Sequence, residues 1–195
     1  MARNYFKLPV CFSYNIIYIH TEFEKGVLRM IILREMTNEH VRIIKKWPEY
    51  PAEFTELDHA LRDGGWLDSD HDKAFSAFED QTIIGFVVLW KSNESMTVSL
   101  ALKGDQIGKG LGYVVLCETL VKCFTEFGCK KVFLDVRKTN LRAKKLYDKV
   151  GFKIVGEHIS EVRGKQVPFY KMAIDKAMFF NSNAKKELDN DNDEG

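Results

Sequence analysis

One stretch of this chain carries the residues whose types and spacing could do chemistry. Asp105-Gln106-Ile107-Gly108-Lys109-Gly110-Leu111-Gly112 is a glycine-rich loop that follows an alternating apolar segment, Met96 to Leu102, and opens directly into a long amphipathic helix. The first turn of a helix carries N–H groups without intrahelical partners, and these attract anions. Strand, loop and helix together predict a site for a phosphorylated ligand. A P-loop would need glycine at position 103 and Ser or Thr at 110, where Lys103 and Gly110 stand. A dinucleotide fingerprint would need glycine at 113 or at 115, where Tyr113 and Val115 stand. What remains is a turn whose N–H groups could wrap a pyrophosphate.

The elements that must hold this loop read as follows. Ile31 to Arg34 is a short strand, and Thr37 caps a helix carrying Val41 and Ile44 that ends before Pro48. A second helix follows Pro51, with Phe54, Leu57, Ala60 and Leu61 at helical spacing and Gly64-Gly65 as its stop. Ala74 to Glu79 alternates as a strand, Asp80-Gln81 turns, and Ile83 to Trp90 is a nearly continuous apolar run suited to a central strand. After Ser92-Asn93 comes Met96 to Leu102, completing an antiparallel meander. The helix from Gly110 to Phe127 places Glu118, Thr119, Lys122, Thr125 and Glu126 on a polar stripe, and Gly128 ends it. Val132 to Val136 is a strand. Thr139 to Val150 is a helix burying Ala143, Leu146, Tyr147 and Val150. Two strands near Phe152 to His158 and Val167 to Ile174 form a hairpin through Arg163-Gly164. The fold class is mixed α/β, a mainly antiparallel central sheet flanked by helices.

The 195 residues suffice for one core. Residues 30–180 form the domain, 1–29 an extension of unclear role, and 181–195 an acidic tail without regular structure. Leu8 to Ile19 is apolar, yet Pro9, Ser13 and Asn15 interrupt it and no small-residue cleavage site follows, so an accessory extension is favoured over a targeting segment. No apolar run approaches the roughly 20 residues of a membrane span. A net charge of +1 gives no reason to expect nucleic acid or an anionic membrane as partner. Cys11, Cys117, Cys123 and Cys129 lack C-x-x-C spacing and companion histidines, which predicts free thiols in a reducing, cytoplasmic setting and no metal site.

Leu100 to Gly112, a helix, a strand, and then Asn140-x-x-Ala143-x-x-Leu146-Tyr147-x-x-x-Gly151-Phe152 together resemble the GNAT superfamily of acyl-CoA-dependent N-acyltransferases. The resemblance covers about residues 31–175. The strand Phe133-Leu134-Asp135-Val136-Arg137 is similar to that of the ribosomal-protein alanine N-acetyltransferases. The family pattern Gln/Arg-x-x-Gly-x-Gly has Ile107 in its first position here, which implies weakened cofactor binding that Lys109 offsets with its charge.

The resemblance implies acetyl-CoA as co-substrate and direct attack by a primary amine. Backbone groups of Leu100, Ala101 and Leu102 would pair with the pantetheine arm like an added strand. The amides of Gly108, Lys109, Gly110, Leu111, Gly112 and Tyr113 would take the pyrophosphate. Asn140 resembles the pantetheine-contacting asparagine of the family, and as residues alone it reads equally as an N-cap. Tyr147 would be the general acid toward the leaving thiolate and Asp135 the base; the plain readings are a core aromatic and a solvated carboxylate. The segment from Glu49 to Asp72 carries Glu53, Glu56, Asp58, Asp63, Asp68 and Asp70 between them, against Arg62, with Trp47, Tyr50, Phe54 and Trp66 nearby. An acidic, aromatic wall would attract a cationic amine, whether a polyamine, an aminoglycoside or a peptide N-terminus, and a solvated helix face is its plain reading. The resemblance leaves room for a homodimer. The rival reading is a non-catalytic acyl-CoA sensor with the same fold.

Overall fold

The computed structural model describes residues 30–51 and 70–181 in full, and only the backbone of the strand segments 5–6, 9–12, 15–22 and 27–29. The expected helix after Pro51, most of the acidic stretch and the tail beyond residue 181 lie outside the described residues. Ten strands are present among those described: β1 (Tyr5–Phe6), β2 (Pro9–Phe12), β3 (Asn15–Glu22), β4 (Val27–Glu35), β5 (Lys73–Glu79), β6 (Thr82–Ser92), β7 (Ser95–Leu102), β8 (Lys131–Arg137), β9 (Lys153–Val162) and β10 (Lys165–Asp175). The helices are α1 (Asn38–Ile44), α2 (Leu111–Thr125) and α3 (Leu141–Val150). The architecture is mixed α/β with mainly antiparallel strands.

The chain forms two compact units, residues 1–89 with 100–119, and residues 90–99 with 120–195. In the first, β3, β4, β5 and β6 pair antiparallel in sequence order. The domain start expected at Met30 falls inside β4, whose partner β3 opposes Met30 with Ile19. The extension therefore supplies strand backbone. Thr37 caps α1 as expected: its side chain accepts from the His40 N–H at 3.2 Å, and His40 Nδ1 faces the Thr37 N–H at 3.4 Å. That reciprocal pair satisfies two orphan donors. β5 departs from the alternation expected of it. Phe75, Ser76, Ala77 and Phe78 are all buried, so both faces of this strand are covered. Trp47 and Tyr50 also belong to this core, at 9% and 4% exposure, rather than to an open wall; the Trp47 ring lies 6.4 Å from that of Phe86.

In the second unit β7 runs parallel to β8 from Ser95↔Lys131 to Thr97↔Phe133, and β8, β10 and β9 follow in antiparallel order. The hairpin turns at Arg163-Gly164, both at positive φ (51° and 72°). Such a two-residue turn matches the strand twist. The polar stripe expected on α2 holds at Lys122, Thr125 and Glu126 and fails one turn earlier. Glu118 and Thr119 are buried, and the Thr119 hydroxyl donates to the Val115 carbonyl at 2.7 Å. A hydroxyl satisfied within its own helix can enter the core, which hydropathy spacing does not register. Cys117, Cys123 and Cys129 are buried free thiols, as expected, while the side chain of Cys11 lies outside the described residues.

Candidate active site

The glycine loop belongs to the first unit. β7 ends at Leu102, a 3-10 turn follows at Gly104–Gln106, and α2 begins at Leu111. Gly108 and Gly110 both have left-handed backbone, φ 83° and 79°. A side chain at Gly108 would meet nothing within 4 Å, so it is the backbone conformation and not crowding that calls for glycine there. Left-handed residues are among the elements from which backbone anion-binding concavities are built, and two of them flank Lys109 here. Leu111 and Gly112 open the helix, where an N–H has no carbonyl four residues back. The Tyr113 N–H is different, since it donates to the Gly110 carbonyl at 3.0 Å.

Charge in the loop is local. Lys103 Nζ pairs with Asp105 Oδ2 at 3.1 Å, and the exposed Lys109 donates to Gln106 Oε1 at 3.2 Å. Ile107 is half-buried. Of the strand residues expected to meet the cofactor, Ala101 turns its carbonyl toward β6: a Cβ built on Gly85 would lie 2.9 Å from it. Backbone groups alternate along a strand, so Leu100 and Leu102 present theirs on the other side.

Asn140, Tyr147 and Asp135 belong to the second unit. Asn140 is the N-cap of α3, its Oδ1 accepting from the Ala143 N–H at 3.0 Å. The cap reading of Asn140 is thus real, and it uses the carboxamide oxygen while leaving the NH₂ to face elsewhere. Ala143 and Tyr147 continue the same face at helical spacing. Tyr147 is half-buried, and burial pushes the phenol up to about 12. Its ring lies 5.9 Å from that of Phe152. Gly151, at φ 116°, closes the helix, and both its N–H and that of Phe152 return to the Tyr147 carbonyl at 3.1 and 3.0 Å.

Asp135 alternates with the buried Leu134 and Val136 and shares a face of β8 with Phe133 and Arg137. Its side chain is 40% exposed, and His158 Nδ1 lies 3.7 Å from Oδ1. That histidine is stacked on Phe169, 5.4 Å between centroids and 8° between planes. His158 and Phe169 did not stand out in the sequence. The Arg163-Gly164 turn was the signal for them, because it sets the register that places the two opposite each other. Gly85, which packs on the end of β7, was missed because it sits in no motif, and Tyr50, named only with the aromatics of the acidic wall, acts on the end of β7. Among the described residues no group of three or more His, Cys, Asp or Glu side chains could hold a metal ion, and no helix is long and apolar enough to cross a membrane.

Similar folds are found among solved structures. A chimera of the Vibrio cholerae spermidine N-acetyltransferase SpeG with hSSAT is 22% identical, covering 77% of this chain and 98% of its own, with a TM-score of 0.62. The Vibrio cholerae spermidine N-acetyltransferase in complex with CoA and spermine is 20% identical over the same shares, with a TM-score of 0.61. A manganese-bound form of the spermidine/spermine enzyme from that organism is 21% identical, covering 78% of this chain and 96% of its own, with a TM-score of 0.62. No curated protein matches the chain in sequence. The family model for the acetyltransferase (GNAT) family matches residues 39–152, which include the glycine loop, the β8 strand and all of α3. That match spans more than half of the 195 residues, and the chain belongs to the acetyltransferase (GNAT) family.

Proposed function

We propose that the chain transfers the acetyl group of acetyl-CoA to a primary amine of a polyamine, with spermidine and spermine as the first acceptors to try. The observation that carries the donor half is the coiled Gly108–Gly112 backbone at the start of α2, a cradle for a pyrophosphate. Two features support the acceptor half: the acidic segment between Glu49 and Asp72, and the fold shared with enzymes whose acceptors are polyamines. Family membership and these neighbours weigh against a non-catalytic sensor.

In this reading the pantetheine arm runs along the outward groups of Leu100 and Leu102, and the N–H groups of residues 108–112 hold the pyrophosphate. Asn140 offers its NH₂ to the arm. The acceptor enters as an ammonium and must lose a proton before it attacks; Asp135, through a water, takes it. The amine nitrogen bonds to the thioester carbon, the C–S bond breaks as the thiolate takes a proton from Tyr147, and the proton that the nitrogen sheds on becoming an amide restores the phenol. A phenol held near 12 stays protonated at neutral pH, so it enters each cycle as an acid. Acetyl-CoA is the co-substrate.

A second acceptor class follows from the β8 strand, Phe133 to Arg137, which resembles that of the enzymes acting on ribosomal-protein N-termini. Thiol release from acetyl-CoA, measured over spermidine, spermine, aminoglycosides, amino acids and ribosomal-protein N-terminal peptides, separates the two. Turnover with polyamines and a KM for them that rises with salt is the expected result. Turnover with peptides alone overturns the polyamine assignment. CoA binding without turnover on any amine returns the chain to the sensor reading.

A further inference from the structure

Two hydrogen bonds hold the last peptide of β7 from opposite sides. The Lys103 N–H donates to the Ile84 carbonyl of β6 at 2.8 Å. The Tyr50 hydroxyl donates to the Leu102 carbonyl at 2.7 Å. In a trans peptide the carbonyl of one residue and the N–H of the next point in opposite directions, so this one plane is gripped at both ends. The grip is buried: Tyr50 is 4% and Leu102 9% exposed. The ring reinforces it. A Cβ on Gly104, the first residue of the 3-10 turn, would lie 3.6 Å from Tyr50 Cδ1 and 3.3 Å from Pro51 Cδ. Tyr50-Pro51 therefore packs on the junction where β7 hands over to the glycine loop.

We infer that Tyr50 is a positioning residue for the donor site: its hydroxyl fixes the plane of the Leu102–Lys103 peptide, and with it the path from the strand edge to the pyrophosphate cradle. The inference rests on the acetyl-CoA reading above. Acetyl-CoA would be held at two places joined by one covalent arm, the outward groups of Leu100 and Leu102 and the N–H groups of residues 108–112. Joined contacts reinforce each other only if their separation is held, and an error of about 1 Å between them forfeits much of that gain. The residues between the two places are Lys103 to Ile107, a 3-10 turn whose own bonds (Gln106 N–H to Lys103 O at 2.9 Å, Ile107 N–H to Gly104 O at 3.3 Å) are anchored on the gripped peptide. Tyr50 also takes one lone pair of the outward Leu102 carbonyl. An arm adding to this edge would then pair with both groups of Leu100 and with the Leu102 N–H.

The test uses the full chain and reads CoA affinity by calorimetry beside steady-state constants. Tyr50→Phe keeps the ring and removes the donor. The expected result is a Kd for CoA and a KM for acetyl-CoA raised about tenfold, the size of one buried hydrogen bond, with kcat and the KM for spermidine within about twofold. Gly104→Ala presses on Pro51 and Tyr50 from the other side and is expected to raise the same two constants. Trp47→Phe alters the same segment's packing on Phe86 and is expected to lower Tm with CoA affinity unchanged. A Tyr50→Phe chain that melts earlier yet binds CoA like the wild type overturns the inference, leaving Tyr50 a core residue only. Should that variant fail to fold, Gly104→Ala decides by the same constants. A wild-type chain that binds CoA but acetylates no amine overturns the proposed reaction, and the affinity comparison still judges Tyr50.

Discussion

Tyr147 and Phe152 face each other across the end of α3, ring centroids 5.9 Å apart and planes tilted by 58°, while the Phe152 N–H returns to the Tyr147 carbonyl. The helix stop and the ring pair thus fix one side chain by two routes. Tyr147→Phe keeps the ring, the contact with Phe152 and the backbone bonds, and removes the hydroxyl alone. As the proton donor to the thiolate, that hydroxyl is worth about 10²–10⁴-fold. The variant is expected to bind CoA normally and to lose at least about a hundredfold in kcat. A kcat equal to that of the wild type would sink the general-acid role.

The same phenol predicts a pH effect on stability. Burial raises it from 10.0 to about 12, so below pH 10 it is protonated in both the folded and the unfolded chain and contributes no slope. Between pH 10 and 12 the unfolded chain ionises first, and folding stability falls by at most about 1.4 kcal/mol per unit. Urea melts at pH 9, 10, 11 and 11.5 should show the wild type losing stability faster than Tyr147→Phe over the upper part of that range. Parallel curves would mean that the phenol is not enclosed.

Ile107 stands where the family pattern carries Gln or Arg, half-buried at the end of the 3-10 turn. Its backbone is extended, an ordinary conformation for any residue, so a polar side chain meets no strain there. Ile107→Gln is expected to lower the KM for acetyl-CoA by about three- to tenfold, the range of one added hydrogen bond, with kcat unchanged. An unaltered or higher KM would show that Lys109 and the loop amides already supply what the position offers.

What was legible in the sequence had local causes. The glycines at 108, 110, 128, 151 and 164 all adopt positive φ, and each marks a loop, a helix end or a turn that its spacing announced. Thr37 and Asn140 cap their helices because both the oxygen acceptor and the N–H it takes lie within three residues. The rest depends on pairings distant in the chain. Tyr50 reaches Leu102 across 52 positions, and Glu118 and Thr119 are buried by elements that α2 itself does not encode. Asp135 meets His158 only through two successive strand registers, β8 on β10 and β10 on β9. The facing of Asp135 followed from alternation, whereas its partner did not.

Cys123 and Cys129 are the residues five before and one after the left-handed Gly128 cap of α2, with the Cys129 N–H bonded to the Cys123 carbonyl at 3.0 Å. Their side chains touch, as the two apolar residues of this type of helix stop usually do. The Cys129 sulfur as partner, with burial behind it, pushes the Cys123 thiol well up, and the Cys123 partner holds Cys129 below its usual range. Both are buried, so access rather than ionisation governs reaction. Neither they nor Cys117 should react with a disulfide reagent in the native chain within the time that urea-unfolded protein needs to react fully. Fast native labelling at Cys129 would reveal local opening at the end of α2.

Asp135 offers the sharpest division between catalysis and plain solvation. A carboxylate base works only when ionised, so activity should fall as pH drops and the carboxyl takes up its proton, giving an acid limb in kcat/KM. Asp135→Asn cannot titrate. It should abolish that limb and lower kcat/KM by about a hundredfold, the lower range for general base catalysis. His158 lies 3.7 Å away and on the same exposed face. His158→Gln leaves the carboxylate in place and should keep the acid limb. If Asp135→Asn reproduces the wild-type profile, Asp135 is a solvated carboxylate on the face of β8, and the proton of the ammonium leaves by water alone.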